Sequence, residues 1–416
     1  MDRLQSFVGI PVLVLIAWLV FSTDRKSFPW RTVLWGLGLQ FSFAILILWT
    51  PWGRAAFEWL GHIVTVFLGF SKEGASFLFG NIVDEKYQET FGFQFAFAIL
   101  PTIIFVGSAM AIGYHLGIMQ RIVRGVAWVM SKTMGTSGAE SLSCAANIFV
   151  GQTEAPLVVR PFIDTLTRSE LMAVMAGGFA SIAGGVMAGY IMLGIPAKHL
   201  LAASVMSAPA ALMFAKIMVP EHGQPLTAGK VEMPVMERNS NVIDAAASGA
   251  RDGLKLAVNV GAMLLAFIAI IAFINAVLSW IHGVFFDWGF SYFPASLRDI
   301  FSVIFAPLAF VVGVPFGELK DFGYLIGTQI SINEFVAYIE LSKMIQSGAI
   351  SERTITLASY ALCAFANFSS IAIQIGGISG LAPQRRQELA QLGLRAMFCG
   401  NLASLQTATI AGMLIR

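Results

Sequence analysis

The sequence predicts an all-α polytopic membrane protein, and two observations carry that prediction. The chain has 416 residues, of which 57% are hydrophobic and only 12% are charged. Soluble domains are about half apolar and about a quarter charged, so the shortage of charge is the stronger signal. A lipid-embedded backbone must close its hydrogen bonds internally, which permits helices or closed barrels. The apolar runs are long and unbroken, a pattern that favours helices over barrel strands.

Eight segments are long enough to cross about 30 Å of hydrocarbon. The run from Phe7 to Phe21 has no small-residue cleavage site and is followed by charges, which predicts a retained helix instead of a signal peptide. Basic residues in the loops at 24–31, 121–132, 220–251 and 385–386 predict that these loops are cytoplasmic, with both termini outside. The predicted spans are 6–22, 32–50, 93–118, 168–194, 198–219, 252–282, 352–379 and 388–414.

Two further stretches, 136–168 and 318–346, are apolar but too short to cross twice, and each carries an acid near its middle. This pattern predicts re-entrant hairpins, which are tolerated at membrane depth only beside a watery cavity or buried in protein. An interfacial helix is expected before each hairpin, at 119–134 and at 296–313.

The two hairpins correspond in sequence. Glu154 in the first matches Glu334 in the second, and FASIAG (179–184) matches FANFSS (365–370) downstream. With the predicted topology, the hairpins enter from opposite faces, which makes an inverted repeat. Such repeats are common in secondary transporters, where the substrate lies at the repeat interface near the midplane.

The two acids are the first candidates for chemistry, because an intramembrane carboxylate costs several kcal/mol unless it is hydrated, paired or ligand-bound. Glu154 and Glu334 would accept hydrogen bonds from a polar substrate; the alternative for Glu154 is a structural ion pair with Arg160. Gln152 beside Glu154 suits a ligand with an imide or carbonyl edge. For Thr153 and Asn333, substrate binding and capping of the turn backbone explain the residue type equally well.

Small and hydroxyl residues interrupt two predicted spans, at 179–185 and at 365–370. Unwinding there would free carbonyl groups for a cation or ligand, whereas close helix packing explains the same glycines. Asn367 is harder to explain by packing, because it is a mid-span amide with no obvious polar partner outside its own segment. Neutral oxygens that would suit a hard cation come from Asn147, Val150, Ser181 and Ile182.

Several function classes have no sequence support. A net charge of +2 gives no indication of a nucleic-acid partner. Walker A, nucleophile-elbow and HExxH motifs do not occur in the sequence, so an enzyme or an ATP-driven pump is not predicted. Cys144, Cys363 and Cys399 lie in apolar runs without a CxxC pair, which indicates neither a disulfide framework nor a zinc site.

Four motifs resemble the concentrative nucleoside transporter family, and the similarity is collinear over essentially the whole chain. They are GQTEAPLVVRP (151–161), NVIDAAA (241–247), NEFVAY (333–338) and FANFSSIA (365–372). The closest resemblance is to bacterial, eight-span members of the sodium-coupled type.

The resemblance implies a domain organisation with a scaffold, a transport domain and two repeats. The third and sixth spans would form a scaffold at the interface of a homotrimer. The hairpins and broken helices would form a domain that carries substrate by an elevator movement. The predicted units are two spans and an external loop (1–92), a scaffold helix (93–118), the first repeat (119–219), a cytoplasmic loop (220–251), a second scaffold helix (252–295) and the second repeat (296–416).

The resemblance also implies residue roles. By this resemblance, the nucleobase is contacted by Gln152, Thr153 and Glu154, with Val186 and Leu256 packing against it. The ribose hydroxyls are bound by Glu334, Asn367 and Ser370, with Phe365 beside them. The sodium ligands are Asn147, Val150, Ser181 and Ile182.

The function predicted is nucleoside import by sodium symport, in a bacterial inner membrane, with sodium as coupling ion and no organic cofactor. Asn147 favours sodium, because proton-coupled bacterial relatives tend to lack that residue. Two alternatives stay open: proton coupling through Glu154 or Glu334, and a nucleoside-permeable channel or receptor that uses the same cavity.

Overall fold

A computed structural model describes residues 2–83, 94–231, 239–287 and 293–415. Within these ranges every regular element is a helix, which confirms the all-α fold class. Parts of the predicted units fall outside the described residues: the end of the loop at 51–92, residues 232–238 of the cytoplasmic loop, and residues 288–292 of the second scaffold helix.

The two N-terminal spans form where they were predicted. The first is α1 (Asp2–Ile16), extended by a π-helical turn (Ala17–Phe21). The second is α2 (Trp30–Leu48). Both are long and apolar enough to cross a membrane.

The predicted loop at 51–92 is wrong over Pro51–Ile82, because the chain continues there as α3 (Pro51–Gly69), α4 (Ser71–Phe79) and a 3₁₀ turn (Gly80–Ile82). The Thr50 hydroxyl accepts a hydrogen bond from the Gly53 amide at 3.0 Å. Pro51 occupies the first helical position, where its missing N–H costs nothing. A capped start of this kind explains why helix begins immediately after α2.

Although the segment Pro51–Ile82 is long and apolar enough to cross a membrane, its contacts hold it at one end of the bundle. Gly61 packs against the first turn of α11 (Ala197–Met218), next to Lys198. The Ser71 hydroxyl lies 2.8 Å from the Thr102 hydroxyl, in the first turn of α6 (Leu100–His115).

Those two first turns lie at the same end of the molecule. Ile99, directly before α6, packs against Gly189 of α10 (Gly184–Met192), and α10 leads through a short turn into α11. Since α3 and α4 meet both first turns, they stay on one side, and the helices of the described residues agree with the eight predicted crossings.

The middle of the chain follows the prediction closely apart from one boundary. The short helix α5 (Phe95–Ala98) precedes α6, and the helices predicted to be interfacial form as α7 (Ile118–Met134) and α13 (Leu297–Val312). The second scaffold helix, α12 (Val242–Asp287), starts ten residues before the predicted 252. Its 46 residues span about 69 Å, so it projects beyond the bilayer into the predicted loop. The Asn241 side chain accepts from the Asp244 amide at 2.9 Å, which starts the helix there.

Both predicted hairpins are present. Hairpin 1 consists of α8 (Gly138–Ala146), a turn, and a 3₁₀ arm (Ala155–Thr165). Hairpin 2 consists of α14 (Leu319–Ser331), preceded by a 3₁₀ turn (Phe316–Glu318), and α15 (Glu334–Gln346).

The hairpins enter from opposite ends of α11. At the base of hairpin 1, Glu140 contacts Lys216 in the last turn of α11 at 2.7 Å. Near the base of hairpin 2, the Ser342 hydroxyl donates to the Leu193 carbonyl at 2.6 Å, just before α11 begins. This geometry is that of an inverted repeat.

The span that follows each hairpin is broken at the predicted interruption. The first consists of α9 (Arg168–Ala180) and α10, and Ser181 between them is extended (φ −134°, ψ 174°). The second consists of α16 (Glu352–Ala361) and α17 (Phe368–Leu381). The Phe365 amide donates to the Ser181 carbonyl at 3.2 Å, so the two unwound segments touch. A final 3₁₀ turn (Pro383–Arg385) leads into α18 (Arg386–Leu414).

The basic loops gather at one end of the molecule. Arg31 donates to the Thr133 and Lys132 carbonyls, and Arg385 donates to the Ile163 carbonyl at the base of hairpin 1. At the other end, Arg3 donates to the Ile415 carbonyl, which brings the two chain ends together. The grouping agrees with the predicted topology; which end faces the cytoplasm stays a prediction.

Candidate functional site

One cavity lies where the two hairpin tips and the two unwound segments meet, and it contains every side chain predicted to bind substrate. These nine are Gln152, Thr153, Glu154, Val186, Leu256, Glu334, Phe365, Asn367 and Ser370. The helix α12 completes an apolar wall with Val260, Met263 and Leu264, three residues that the sequence analysis did not single out.

The tip of hairpin 1 supplies an amide and an acid. Gln152 is buried, and its Oε1 has no hydrogen-bond partner among the described residues. A buried acceptor without a partner is costly, so this oxygen is suited to a ligand N–H. The Glu154 carboxylate folds back over Gly151, so a larger side chain at 151 would displace it.

Hairpin 2 presents its acid at the first position of its second arm. Asn333 caps this arm, because its Oδ1 accepts from the Val336 amide at 2.9 Å; the capping role therefore applies to Asn333, which also lines the cavity. Glu334 is buried, and two side chains donate to its carboxylate. The Tyr190 hydroxyl reaches Oε1 at 3.2 Å and the Asn367 amide reaches Oε2 at 2.9 Å.

Asn367 has a polar partner that was not obvious from the sequence, because that partner lies in hairpin 2. Its Nδ2 donates to Glu334 of hairpin 2, and its Oδ1 accepts from the Ser370 amide at 2.9 Å, which caps α17. This single side chain fixes the break in the second span and orients the acid.

Neither acid is neutralised by a basic side chain within the described part of the chain. The alternative pairing of Glu154 with Arg160 is not observed there, and Glu334 has only neutral donors. Glu154 is exposed, because a second cavity opens beside it. That cavity shares Gly151, Glu154, Ala183 and Leu256 with the first and continues past Tyr114 and Asp252. Together the two cavities lead from the hairpin tips along α6 and α12.

Two of the four predicted cation ligands, Asn147 and Ser181, are in contact where the turn of hairpin 1 meets the first unwound segment, and Val150 and Ile182 follow within three residues of them in the chain. The Ser181 hydroxyl donates to the Asn147 carbonyl at 2.8 Å. Asn147 Nδ2 donates to the Ser143 carbonyl at 3.0 Å, while its Oδ1 is buried without a partner among the described residues. Side-chain and carbonyl oxygens without formal charge suit a hard cation that must also leave. In the residues that the structure describes, no group of three or more His, Cys, Asp or Glu side chains competes as a metal site.

Comparison with known families identifies the protein family. Residues 199–412 match the family profile described as the C-terminus of Na⁺-dependent nucleoside transporters, and residues 8–82 match its N-terminal counterpart. The chain belongs to the concentrative nucleoside transporter family. Residues 96–197, which include hairpin 1, match a profile described as a nucleoside-recognition gate. The family consists of transporters, so the prediction that the chain is not an enzyme is confirmed.

Similar proteins occur in bacteria and animals. An uncharacterised transporter from Haemophilus influenzae is 46% identical, with 100% of this chain and 98% of that protein covered. Mouse solute carrier family 28 member 3 is 43% identical over 99% of this chain, which spans 59% of the mouse protein. Mouse sodium/nucleoside cotransporter 1 is 41% identical, with 99% of this chain and 64% of that protein covered.

Solved structures of the transporter CNTnw share the fold. The inward-facing, substrate-bound state of CNTnw has a TM-score of 0.93 at 45% identity, covering 100% of this chain and 98% of that one. An outward-facing form of a CNTnw variant has a TM-score of 0.94 at 45% identity, with the same coverage. These neighbours exist in both inward- and outward-facing states.

Proposed function

We propose that this nucleoside transporter imports its substrate by symport with sodium, and that an elevator movement carries the substrate across the bilayer. The observation that supports this most strongly is the meeting of two acids, Glu154 and Glu334, at one cavity. They come from hairpins that enter from opposite ends of the bundle. A site at a repeat interface can be opened to one side or the other, whereas a channel needs one continuous pore.

The two ends of the cavity match the two halves of a nucleoside. Gln152, Thr153 and Glu154 offer donors and acceptors for the edge of a base, and Val186 and Leu256 give its ring an apolar surface. On the other side, Glu334, Asn367 and Ser370 face the position for the ribose, with Phe365 beside them. An ionised carboxylate accepts several hydrogen bonds, so Glu334 can receive ribose hydroxyls in addition to Tyr190 and Asn367.

Sodium is the proposed coupling ion, carried at Asn147, Ser181 and the carbonyls of Val150 and Ile182. The unpartnered Asn147 Oδ1 supports this assignment. Because the donors are neutral, a bound ion brings a positive charge into the transport domain, and the membrane potential acts on it. The potential contributes about 2.3 kcal/mol per charge at 100 mV, enough to concentrate a neutral solute about fortyfold.

The proposed scaffold is the pair α6 and α12, which is closely packed: a Cβ at Gly107 would lie 2.8 Å from the Gly249 carbonyl. Only 11% of the residues in the most apolar stretch of α12 are buried inside the protein, so much of this helix faces lipid or another subunit. This surface supports the homotrimer expected from the family, with the bilayer as its surroundings. We place the protein in a bacterial inner membrane, in agreement with its bacterial relatives.

Binding measurements on the purified protein test the substrate and the ion together. Displacement of labelled uridine by a series of nucleosides, free bases and ribose, in sodium and in choline, separates the classes. We expect competition by nucleosides but not by ribose alone, and at least tenfold weaker binding in choline.

Equal uridine affinity in sodium and choline would remove sodium coupling. Proton coupling is then decided by uptake after a pH jump without sodium. Strong displacement by free bases or by ribose alone would overturn the assignment of nucleosides as the substrate class.

A further inference from the structure

We infer that Tyr190 is a positioning residue for nucleoside recognition: its hydroxyl holds the Glu334 carboxylate in the orientation that binds ribose. The inference rests on the proposed function and adds a residue that the sequence motifs do not indicate. Tyr190 belongs to α10, in the first repeat, whereas Glu334 belongs to hairpin 2, in the second.

The hydroxyl of Tyr190 is committed to this acid. Tyr190 is fully buried, at 0% exposure, and its hydroxyl donates to Glu334 Oε1 at 3.2 Å. Within the described residues, Glu334 is the one hydrogen-bond partner of that hydroxyl. A buried tyrosine hydroxyl requires a partner, so the ring and the acid fix each other.

The ring of Tyr190 is itself held in place by two aromatic neighbours on hairpin 2. It stacks on Tyr338 with ring centroids 4.2 Å apart and meets Phe335 edge-on at 5.0 Å. Tyr338 donates its own hydroxyl to the Ser359 carbonyl at 2.9 Å and not to Glu334, so only its ring supports Tyr190. The Tyr190 hydroxyl therefore has a defined position, as a group that orients another side chain must have.

Each oxygen of the Glu334 carboxylate accepts a hydrogen bond from a different side chain. Tyr190 binds Oε1, and Asn367 binds Oε2 at 2.9 Å. With one protein donor on each oxygen, each oxygen keeps acceptor capacity for a ribose hydroxyl. Loss of Tyr190 would leave Oε1 without its fixed donor and free the carboxylate to rotate, so the effect falls on the sugar and not on the base.

The test compares Tyr190→Phe with Tyr338→Phe, a matched control that removes one hydroxyl from the ring stacked on it. Uptake of uridine and of 2′,3′-dideoxyuridine is measured in proteoliposomes in sodium. For Tyr190→Phe we expect the KM for uridine to rise about tenfold, the loss of one hydrogen bond to a charged group. The maximal rate of Tyr190→Phe and its KM for the dideoxy analogue should stay within about twofold of the wild-type values. Both KM values of Tyr338→Phe should also stay within about twofold of the wild type.

A double-mutant cycle distinguishes positioning of Glu334 from a purely structural role of Tyr190. If Tyr190 acts through Glu334, then Tyr190→Phe in a Glu334→Gln background should not weaken uridine binding further. An unchanged uridine KM in Tyr190→Phe, or equal weakening of both substrates, would overturn the inference. Loss of folding in Tyr190→Phe but not in Tyr338→Phe would also overturn it, because the hydroxyl would then be structural. Absence of uridine uptake by the wild type would instead reject the proposed function.

Discussion

At the scale of single residues, the two intramembrane acids differ in surroundings, and the difference assigns them different tasks. Glu334 is buried and held by two neutral donors, whereas Glu154 is exposed at the junction of two cavities. A fixed carboxylate discriminates between hydroxyl patterns, because a missing hydroxyl leaves it unpaired. In the proposed mechanism, Glu154 at this junction would meet the substrate both in the site and on the path beyond it.

Replacing Glu334 by Gln should therefore weaken recognition of ribose selectively. The neutral amide keeps the size of the side chain but gives up charge-assisted hydrogen bonds, which are about twice as strong as neutral ones. Uridine should lose at least tenfold in affinity, and its 2′- and 3′-deoxy analogues should lose less, as measured by displacement of labelled ligand. Normal uridine binding by the variant would show that the assigned role is wrong.

At the scale of elements, the base of hairpin 1 is tied to two neighbouring helices by a buried ionic cluster. Lys216 of α11 lies 2.7 Å from Glu140 of hairpin 1, 3.3 Å from Glu221 and 2.9 Å from the Ser169 hydroxyl of α9. These contacts join hairpin 1, α9 and α11 into one unit, as the proposed elevator movement would require of its transport domain.

Lys216→Met should lower the stability of the protein strongly, by about 3–5 kcal/mol, because it leaves the buried Glu140 carboxylate unpaired. The apparent melting temperature of the solubilised protein measures this. Lys198→Met is the matched control, since Lys198 and Glu58 form an exposed pair at 3.5 Å with 43% and 52% side-chain exposure. That control should change stability by less than about 1 kcal/mol. Similar melting temperatures for the two variants would refute the role of the cluster.

Glu221 gives the same cluster a dependence on pH. Partial burial opposes ionisation of this carboxyl, but Lys216 and hydrogen bonds from Thr167 and the Gly223 amide outweigh it and hold its pKa below the ordinary 4.5. Because the pKa is lower in the folded state, the stabilisation is complete above about pH 4.5 and disappears as the pH falls through the lowered value. Glu221→Gln should melt below the wild type at pH 7, and the two curves should converge in acid. A constant difference across pH would contradict this.

Most elements follow from local patterns that the sequence displays. The hairpins were predictable because an acid inside a short apolar stretch cannot be an ordinary span, and the breaks because hydroxyl and amide residues interrupt long ones. The helix α3 was missed, since its charged residues and glycines are typical of a loop until Thr50 and Pro51 are recognised as a helix start. The bond between Tyr190 and Glu334 joins residues 144 positions apart, and no local pattern carries that information.

At the scale of the whole molecule, the elevator proposal requires α10 to slide along α6 while α6 and α12 stay together. Gly185 of α10 faces Ile103 of α6, and a Cβ at Gly185 would lie 3.7 Å from the Ile103 Cγ2. Oxidation of an Ile103→Cys, Gly185→Cys pair should abolish uptake. Reduction of the cross-link should restore uptake. Wild-type protein, whose three native cysteines are free and buried, is treated with the same oxidant as the blank.

The matched control is a cross-link inside the proposed scaffold. A Cβ at Gly261 of α12 would lie 3.2 Å from Leu100 Cδ1 of α6, so a Leu100→Cys, Gly261→Cys pair joins two helices that should not move apart. Uptake should survive oxidation of this pair. Full transport by the cross-linked Ile103–Gly185 variant would exclude a sliding movement at that contact.

The most direct measurement is the accumulation of labelled uridine in proteoliposomes at a fixed membrane potential, with an inward gradient of either sodium or potassium. We predict transient accumulation above the outside concentration with sodium alone. Asn147→Ala, which lacks the unpartnered cation ligand, should need at least tenfold more sodium for half-maximal uptake. Equal accumulation in potassium, or uridine that only equilibrates and never exceeds the outside concentration, would contradict sodium-coupled nucleoside transport.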